Sequence, residues 1–136
     1  MRRLLAFIVS LVVVLNFVWV KPAPAYAAID YSTIRVKLDS MGSVSSISVI
    51  VQGSYTIKEN SSVKLEQKTY TVKVQNGSLV LTDGSNSWNL GSKFTFKRND
   101  GNLRIKNSAY GWLNYLGDME VRVNGSCILL INEIHL

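Results

Sequence analysis

Residues 110–136, YGWLNYLGDMEVRVNGSCILLINEIHL, limit the possible folds of this chain more than any other stretch. Met119, Val121 and Val123 alternate with Glu120 and Arg122. Asn124-Gly125 then offers two residues that tolerate positive φ, and an apolar run from Cys127 to Ile131 follows. Alternation, a tight-turn dipeptide and a second apolar arm together predict a β-hairpin. A two-residue loop at Asn124-Gly125 sets Val123 opposite Ser126, Val121 opposite Ile128 and Met119 opposite Leu130, which makes one face of the ribbon apolar. The second arm is apolar on both faces, since Leu129 and Ile131 point away from Ile128 and Leu130. Such an arm is expected inside a sheet rather than at its edge. The chain stops at Leu136 with no turn signal or polar tail after this arm, and the expectation is an interrupted fold.

The first 27 residues predict an export signal. Arg2 and Arg3 form a basic start, residues 4–20 are apolar apart from Ser10 and Asn16, and Ala25-Tyr26-Ala27 places small residues where signal peptidase reads them. As a helix the apolar stretch would rise ~25 Å, short of the ~30 Å hydrocarbon core, which favours a cleaved signal over a permanent anchor. An uncleaved anchor stays open, because tilt and local thinning accommodate a short span. Residues 28–136 then form the body, on the outer face of the membrane or secreted.

That body reads as β throughout. Ile34 and Val36 alternate with Arg35 and Lys37. Ile47, Val49 and Val51 lead through Gly53 to Tyr55 and Ile57, and Val63 and Leu65 lead on to Tyr70, Val72 and Val74. Asn76-Gly77 predicts a hairpin with Val74 opposite Leu79 and Val72 opposite Leu81. Around Arg98-Asn99-Asp100-Gly101, a four-residue loop with Phe96 opposite Leu103 is preferred. A two-residue loop would set Lys97 against Arg104. No stretch after residue 27 keeps a helical period, and turn residues recur regularly, so the expected class is mainly β: an antiparallel, sandwich- or barrel-like sheet of hairpins behind a signal helix.

Composition excludes more than it assigns. With 47% apolar residues and 18% charged, the body is too apolar for disorder. The formal charge of +6 includes Arg2, Arg3 and Lys21, and removing them leaves 12 basic against 9 acidic residues. That modest surplus is an ordinary surface, or one that favours an anionic wall polymer. Cys127 stands alone, excluding an intrachain disulfide, and in so apolar a strand it is expected to be a buried, inert thiol. His135 is the single histidine, which excludes a His-rich metal cluster and favours a structural or surface role. There is no phosphate-binding glycine loop and no HExxH. Glu120 and Glu133 have no carboxylate partner at a spacing that sequence specifies, and a cross-strand pair such as Glu120 with a lysine is the plainer reading. Catalytic, cofactor and metal residues are therefore expected to be none. Trp88, Tyr110, Trp112 and Tyr115 could fill the core or stack on sugar rings, with Tyr110, Trp112 and Tyr115 the candidates for glycan contact. Basic residues interleaved with aromatics around residues 94–104 also admit an oligonucleotide-binding barrel, the weakest reading in an exported chain.

The order of these motifs resembles the stage II sporulation protein D and amidase-enhancer family of secreted, cell-wall-active bacterial proteins. Ile34-Arg35-Val36-Lys37-Leu38 is similar to that family's first strand. The run from Ile47 to Ile57 with Gly53 and Tyr55 resembles its second element. Tyr110-Gly111, then Met119 to Val123, then Leu130-Ile131-Asn132-Glu133-Ile134-His135-Leu136 resembles its tyrosine-containing strand, hairpin and approach to a Leu-Glu-x-Tyr-Leu segment. The resemblance implies a role in peptidoglycan remodelling during sporulation or wall turnover, with peptidoglycan or a cell-wall amidase as partner. It implies no nucleic-acid partner, and a membrane contact only through an uncleaved N-terminal segment. The family's catalytic glutamate lies in a segment beyond the position of Leu136, so no residue here inherits that role, Glu133 included. The expectation is an exported, truncated N-terminal β portion without catalysis of its own. The alternative is a self-sufficient wall-binding or interaction module.

Overall fold

The computed structural model describes residues 32–136, so the expected signal segment lies outside the described residues. These residues form β1 (Thr33–Lys37), β2 (Ser46–Ile57), β3 (Asn60–Leu65), β4 (Thr69–Gln75), β5 (Ser78–Thr82), β6 (Ser87–Asn89), β7 (Lys93–Asn107), β8 (Gly111–Tyr115), β9 (Asp118–Asn124) and β10 (Cys127–His135), with one short 3-10 turn at Asp39–Met41. All ten strands join one open antiparallel sheet ordered β1-β10-β9-β7-β2-β4-β5-β6, with β3 on β2 and β8 on β7. The mainly-β, antiparallel expectation therefore holds.

Two long strands organise the sheet. On one side β2 and β7 pair with each other from Val49–Ile105 to Ile57–Phe96. On its other side β2 meets β4 near its start and β3 near its end. Likewise β7 meets β9 near its start and β8 near its end. The sheet thus divides into two halves that share β2 and β7, and it bends where they meet. At the bend Gly53 faces Gly101, with φ of 120° and 80°, and Asn99 is the extra residue of a bulge. A Cβ on Gly53 would lie 2.5 Å from the Asp100 carbonyl oxygen and 2.7 Å from the Gly101 Cα, so only glycines allow this approach.

The bend corrects one expectation. Residues 98–101 do not reverse the chain, and Phe96 pairs with Ile57 and Met119 rather than with Leu103. The turn chemistry of Asn99-Asp100-Gly101 is spent on a bulge inside one 15-residue strand, because β2 offers a ladder partner on both sides of it.

The hairpin at Asn76-Gly77 has the expected register, Val74 with Leu79 and Val72 with Leu81, and both loop residues have positive φ as a type I′ turn requires. The last hairpin is displaced by two residues from its expected pairing. Asn124 pairs with Cys127, Val123 with Ile128, Val121 with Leu130 and Met119 with Asn132, so the loop is Gly125-Ser126. Gly125 alone has positive φ there, the pattern of a type II′ turn. A shift of two preserves the faces, so the apolar side still points inward. As expected, β10 lies inside the sheet, between β1 and β9. Its Ile128 and Leu130 are buried, whereas Leu129 and Ile131 on the other face are only partly so. Cys127 is half-buried at the strand's start, not enclosed as the sequence led one to expect.

The inward residues of both halves meet in one cluster that includes Val49, Tyr55, Ile57, Tyr70, Val72, Leu81, Phe94, Phe96, Ile105, Val121 and Leu130. Tyr55 sits in it with its hydroxyl donating to the Gly117 carbonyl at 3.4 Å. Burial pushes the Tyr55 phenol up to about 12, with Asp118 and Asp100 adding to the rise and Arg98 opposing it. In the unfolded chain the phenol ionises near its ordinary value of about 10. Its contribution to stability is complete below about pH 10 and is lost as pH rises towards 12. We expect alkaline unfolding in that window, with late phenolate absorbance changes coinciding with loss of β circular dichroism, since burial raises Tyr70 and Tyr115 as well as Tyr55. Tyr55→Phe is expected to reduce the late change and shift the unfolding midpoint to higher pH. An unmoved midpoint would refute the linkage.

Candidate functional site

The open edge formed by β1, β10 and β9 carries different chemistry on its two faces. Strand alternation places Ile34, Val36 and Ile134 on the core-facing side, in line with Leu130 and Val121. Among the described residues nothing encloses the core face at this edge: Ile34 and Val36 are each 46% exposed and Ile134 37%. Leu116, just before β9, and Leu136, just after β10, are more exposed still.

The opposite face is charged. Arg35 lies between two acids, its Nη2 donating to Glu120 at 2.8 Å and its Nε approaching Glu133 at 3.1 Å. Arg122 pairs with Glu120 as well. The anticipated cross-strand pair of Glu120 exists, but with Arg35 rather than a lysine, while Arg122 is its neighbour along β9. Two guanidiniums offset the burial of the Glu120 carboxylate, which a single exposed lysine would do less well.

The two faces join at the sheet's end. Gly117 runs so close to Glu133 that a Cβ there would overlap the Glu133 carbonyl oxygen, and its φ is 91°. The buried Asn132 amide donates to the carbonyls of Leu116 at 2.8 Å and Asp118 at 3.0 Å, which fixes the approach into β9. The result sets Asp118 directly opposite Glu133, with His135 two residues further on the same face. His135 Nε2 stands 3.6 Å from Asp118 Oδ2 and 4.0 Å from Glu133 Oε1. Beside them is a cavity of about 250 Å³ lined by Arg98, Leu116, Gly117, Asp118, Ile134 and His135.

The aromatic candidates separate. Tyr110 stands in a turn, 71% exposed. Trp112 lies on the outer face of β8 with the Arg104 guanidinium 5.9 Å from its ring centre. Tyr115, three residues on and therefore on the inner face, packs against the core, as does Trp88. Tyr110, Trp112 and Tyr115 thus form no single stacking platform. Phe94 and Phe96 are fully buried, which removes the stacking surface that an oligonucleotide-binding reading of residues 94–104 needs.

No family model, curated protein or solved structure matches this chain. The site's residues must therefore speak through their own chemistry. Read along the sequence, Glu133 and His135 carry no partner, and no local signal points to Asp118. The signal that brings them together is the hairpin register. In the expected pairing Glu133 faces Leu116, and only the observed pairing sets it against Asp118.

Proposed function

We propose that this chain is a non-catalytic β module of the bacterial cell envelope, related in role to the N-terminal part of the stage II sporulation protein D and amidase-enhancer proteins it resembles. Its two half-sheets are read as the layers of a sandwich-like unit. The function fitting this arrangement is docking: the module binds polypeptide of a peptidoglycan-remodelling assembly along the β1/β10 edge. The carrying observation is the uncovered core face at Ile34, Val36 and Ile134. Among the described residues β1 is an edge strand with apolar side chains on its inner face, and such a strand offers both backbone groups for pairing and area that gains from burial. Sporulation and wall turnover are the settings that the resemblance supports.

A second reading, a self-sufficient wall-binding module, draws on the exposed Tyr110 and the Arg104–Trp112 pair. The two readings diverge in one experiment. The chain is incubated separately with purified peptidoglycan and with the helical, cleft-forming half of a family member. Docking predicts little sedimentation with peptidoglycan, clear association with the helical half, and at least tenfold weaker association for Val36→Asp. Strong sedimentation with peptidoglycan and no association with the helical half would replace the first reading by the second.

A further inference from the structure

We propose that Asp118, Glu133 and His135 form a binding site for a divalent transition-metal cation of the zinc type. The three residues each present one ligand atom, and these atoms lie within 4.8 Å of one another. A tetrahedral ion with bonds of about 2.0–2.1 Å spaces its ligands roughly 3.3 Å apart. The separations of 3.6 and 4.0 Å to His135 Nε2 exceed that by about 0.3 and 0.7 Å, and the two carboxylate oxygens lie no more than 4.8 Å apart. Rotation of the Glu133 and His135 side chains, both of them less buried than Asp118, draws the three atoms in around an ion.

The second observation is how each ligand is held from behind. Asp118 is only 8% exposed in its side chain, and its Oδ1 accepts the Arg98 backbone N–H at 2.8 Å. Its Oδ2 is left facing the imidazole at more than hydrogen-bond length. Glu133 Oε2 is taken by Arg35, leaving Oε1 towards His135. His135 Nδ1 meets the Thr33 hydroxyl at 3.2 Å, so a proton on Nδ1 donated to Thr33 leaves the Nε2 lone pair directed at the carboxylates. In metal sites the remote atom of each ligand is commonly engaged by an outer partner that fixes its orientation, and all three ligands here have one.

All three come from adjacent paired strands, which hold ligands more rigidly than loops do. One imidazole nitrogen and two carboxylate oxygens suit zinc and its neighbours better than calcium or magnesium, which prefer all-oxygen shells with more ligands. The two carboxylates balance the charge of the ion. The neighbouring cavity leaves a fourth position open to water or to an anionic group, with Arg98 on its wall.

The test is isothermal titration of the full chain with zinc chloride, alongside thermal unfolding with and without zinc and then with a chelator. One saturable site is expected, with a rise in Tm that the chelator reverses. His135→Ala and Asp118→Asn are each expected to weaken zinc at least tenfold. The exposed position of His135 leaves the fold intact in the first variant, as unchanged circular dichroism would verify. No saturable zinc binding, or unchanged affinity in a folded His135→Ala variant, would overturn the site. Equal affinity for calcium or magnesium would overturn its assignment to a transition metal.

Discussion

Replacing Gly101 by alanine is expected to destabilise the protein by about 3 kcal/mol or more, enough to leave a large unfolded fraction at ordinary temperature. Two costs combine at that position. The backbone has φ of 80°, which a residue with a Cβ resists at roughly 1–2 kcal/mol. The added carbon would also overlap the Gln52 carbonyl oxygen and come within 2.8 Å of the Gly53 Cα, neither of which can swing aside as a side chain can. Relief requires β2 and β7 to separate at the bend, and these strands carry both halves of the sheet. Gly84→Ala is the control. It shares a positive φ of 94° but has no atom within 4 Å of the new carbon, so about 1 kcal/mol is expected. Urea unfolding of the two variants should separate the costs. Equal destabilisation would show that the close approach of the strands contributes nothing.

Phe96→Ala is expected to cost about 3–5 kcal/mol, a third or more of the stability typical of a domain of this size. Phe96 is fully buried, pairs with Ile57 on one side and Met119 on the other, and meets Phe94 edge to face at a centroid distance of 5.0 Å. Truncation removes a large ring, its aromatic contact, and the contact joining β2 through β7 to β9. Phe96→Leu keeps most of the volume and should lose well under half as much. The midpoints of chemical denaturation decide this. A Phe96→Ala loss below about 1 kcal/mol would mean that the neighbouring side chains collapse into the space, contrary to a core held by two ladders.

Most of the strand content was legible because alternation is a local property. Val72, Val74, Leu79 and Leu81 declare their shared face, and Asn76-Gly77 declares the turn between them. The same logic failed at residues 98–101 for a physical reason. Asp-Gly chemistry permits positive φ, and a hairpin loop and a bulge both use it. The choice fell to the bulge because β2, far away in sequence, supplies ladder partners along β7 from Phe96 to Ile105, on both sides of the bulge. At the last hairpin, Asn124-Gly125 and Gly125-Ser126 can each form a two-residue loop. Hydrogen bonds to distant segments engage the backbone beside that loop, Val123 to Ser92 at 2.9 Å and Ile128 to Val44 at 2.7 Å. Those partners are invisible to a reading of the hairpin alone.

The candidate metal site depends on that same two-residue difference. Glu133 and His135 share a face by alternation, whichever register holds. Asp118 reaches them only when Met119 pairs with Asn132 rather than with Leu130. The exposed apolar edge was likewise beyond local reading, since Ile34 and Val36 alternate as a buried strand would and nothing local records that their inner face lacks cover.

By itself, then, the order of residues determined that this chain forms strands, which side chains share a face, and where positive φ is tolerated, because each depends on a period of two or on a single residue's sterics. Outside the β4–β5 and β9–β10 hairpins, tertiary structure alone decided which strand pairs with which, and at the last hairpin it decided the register. Those choices rest on hydrogen bonds and burial summed over partners dozens of residues away, and they place Asp118, Glu133 and His135 within reach of one ion.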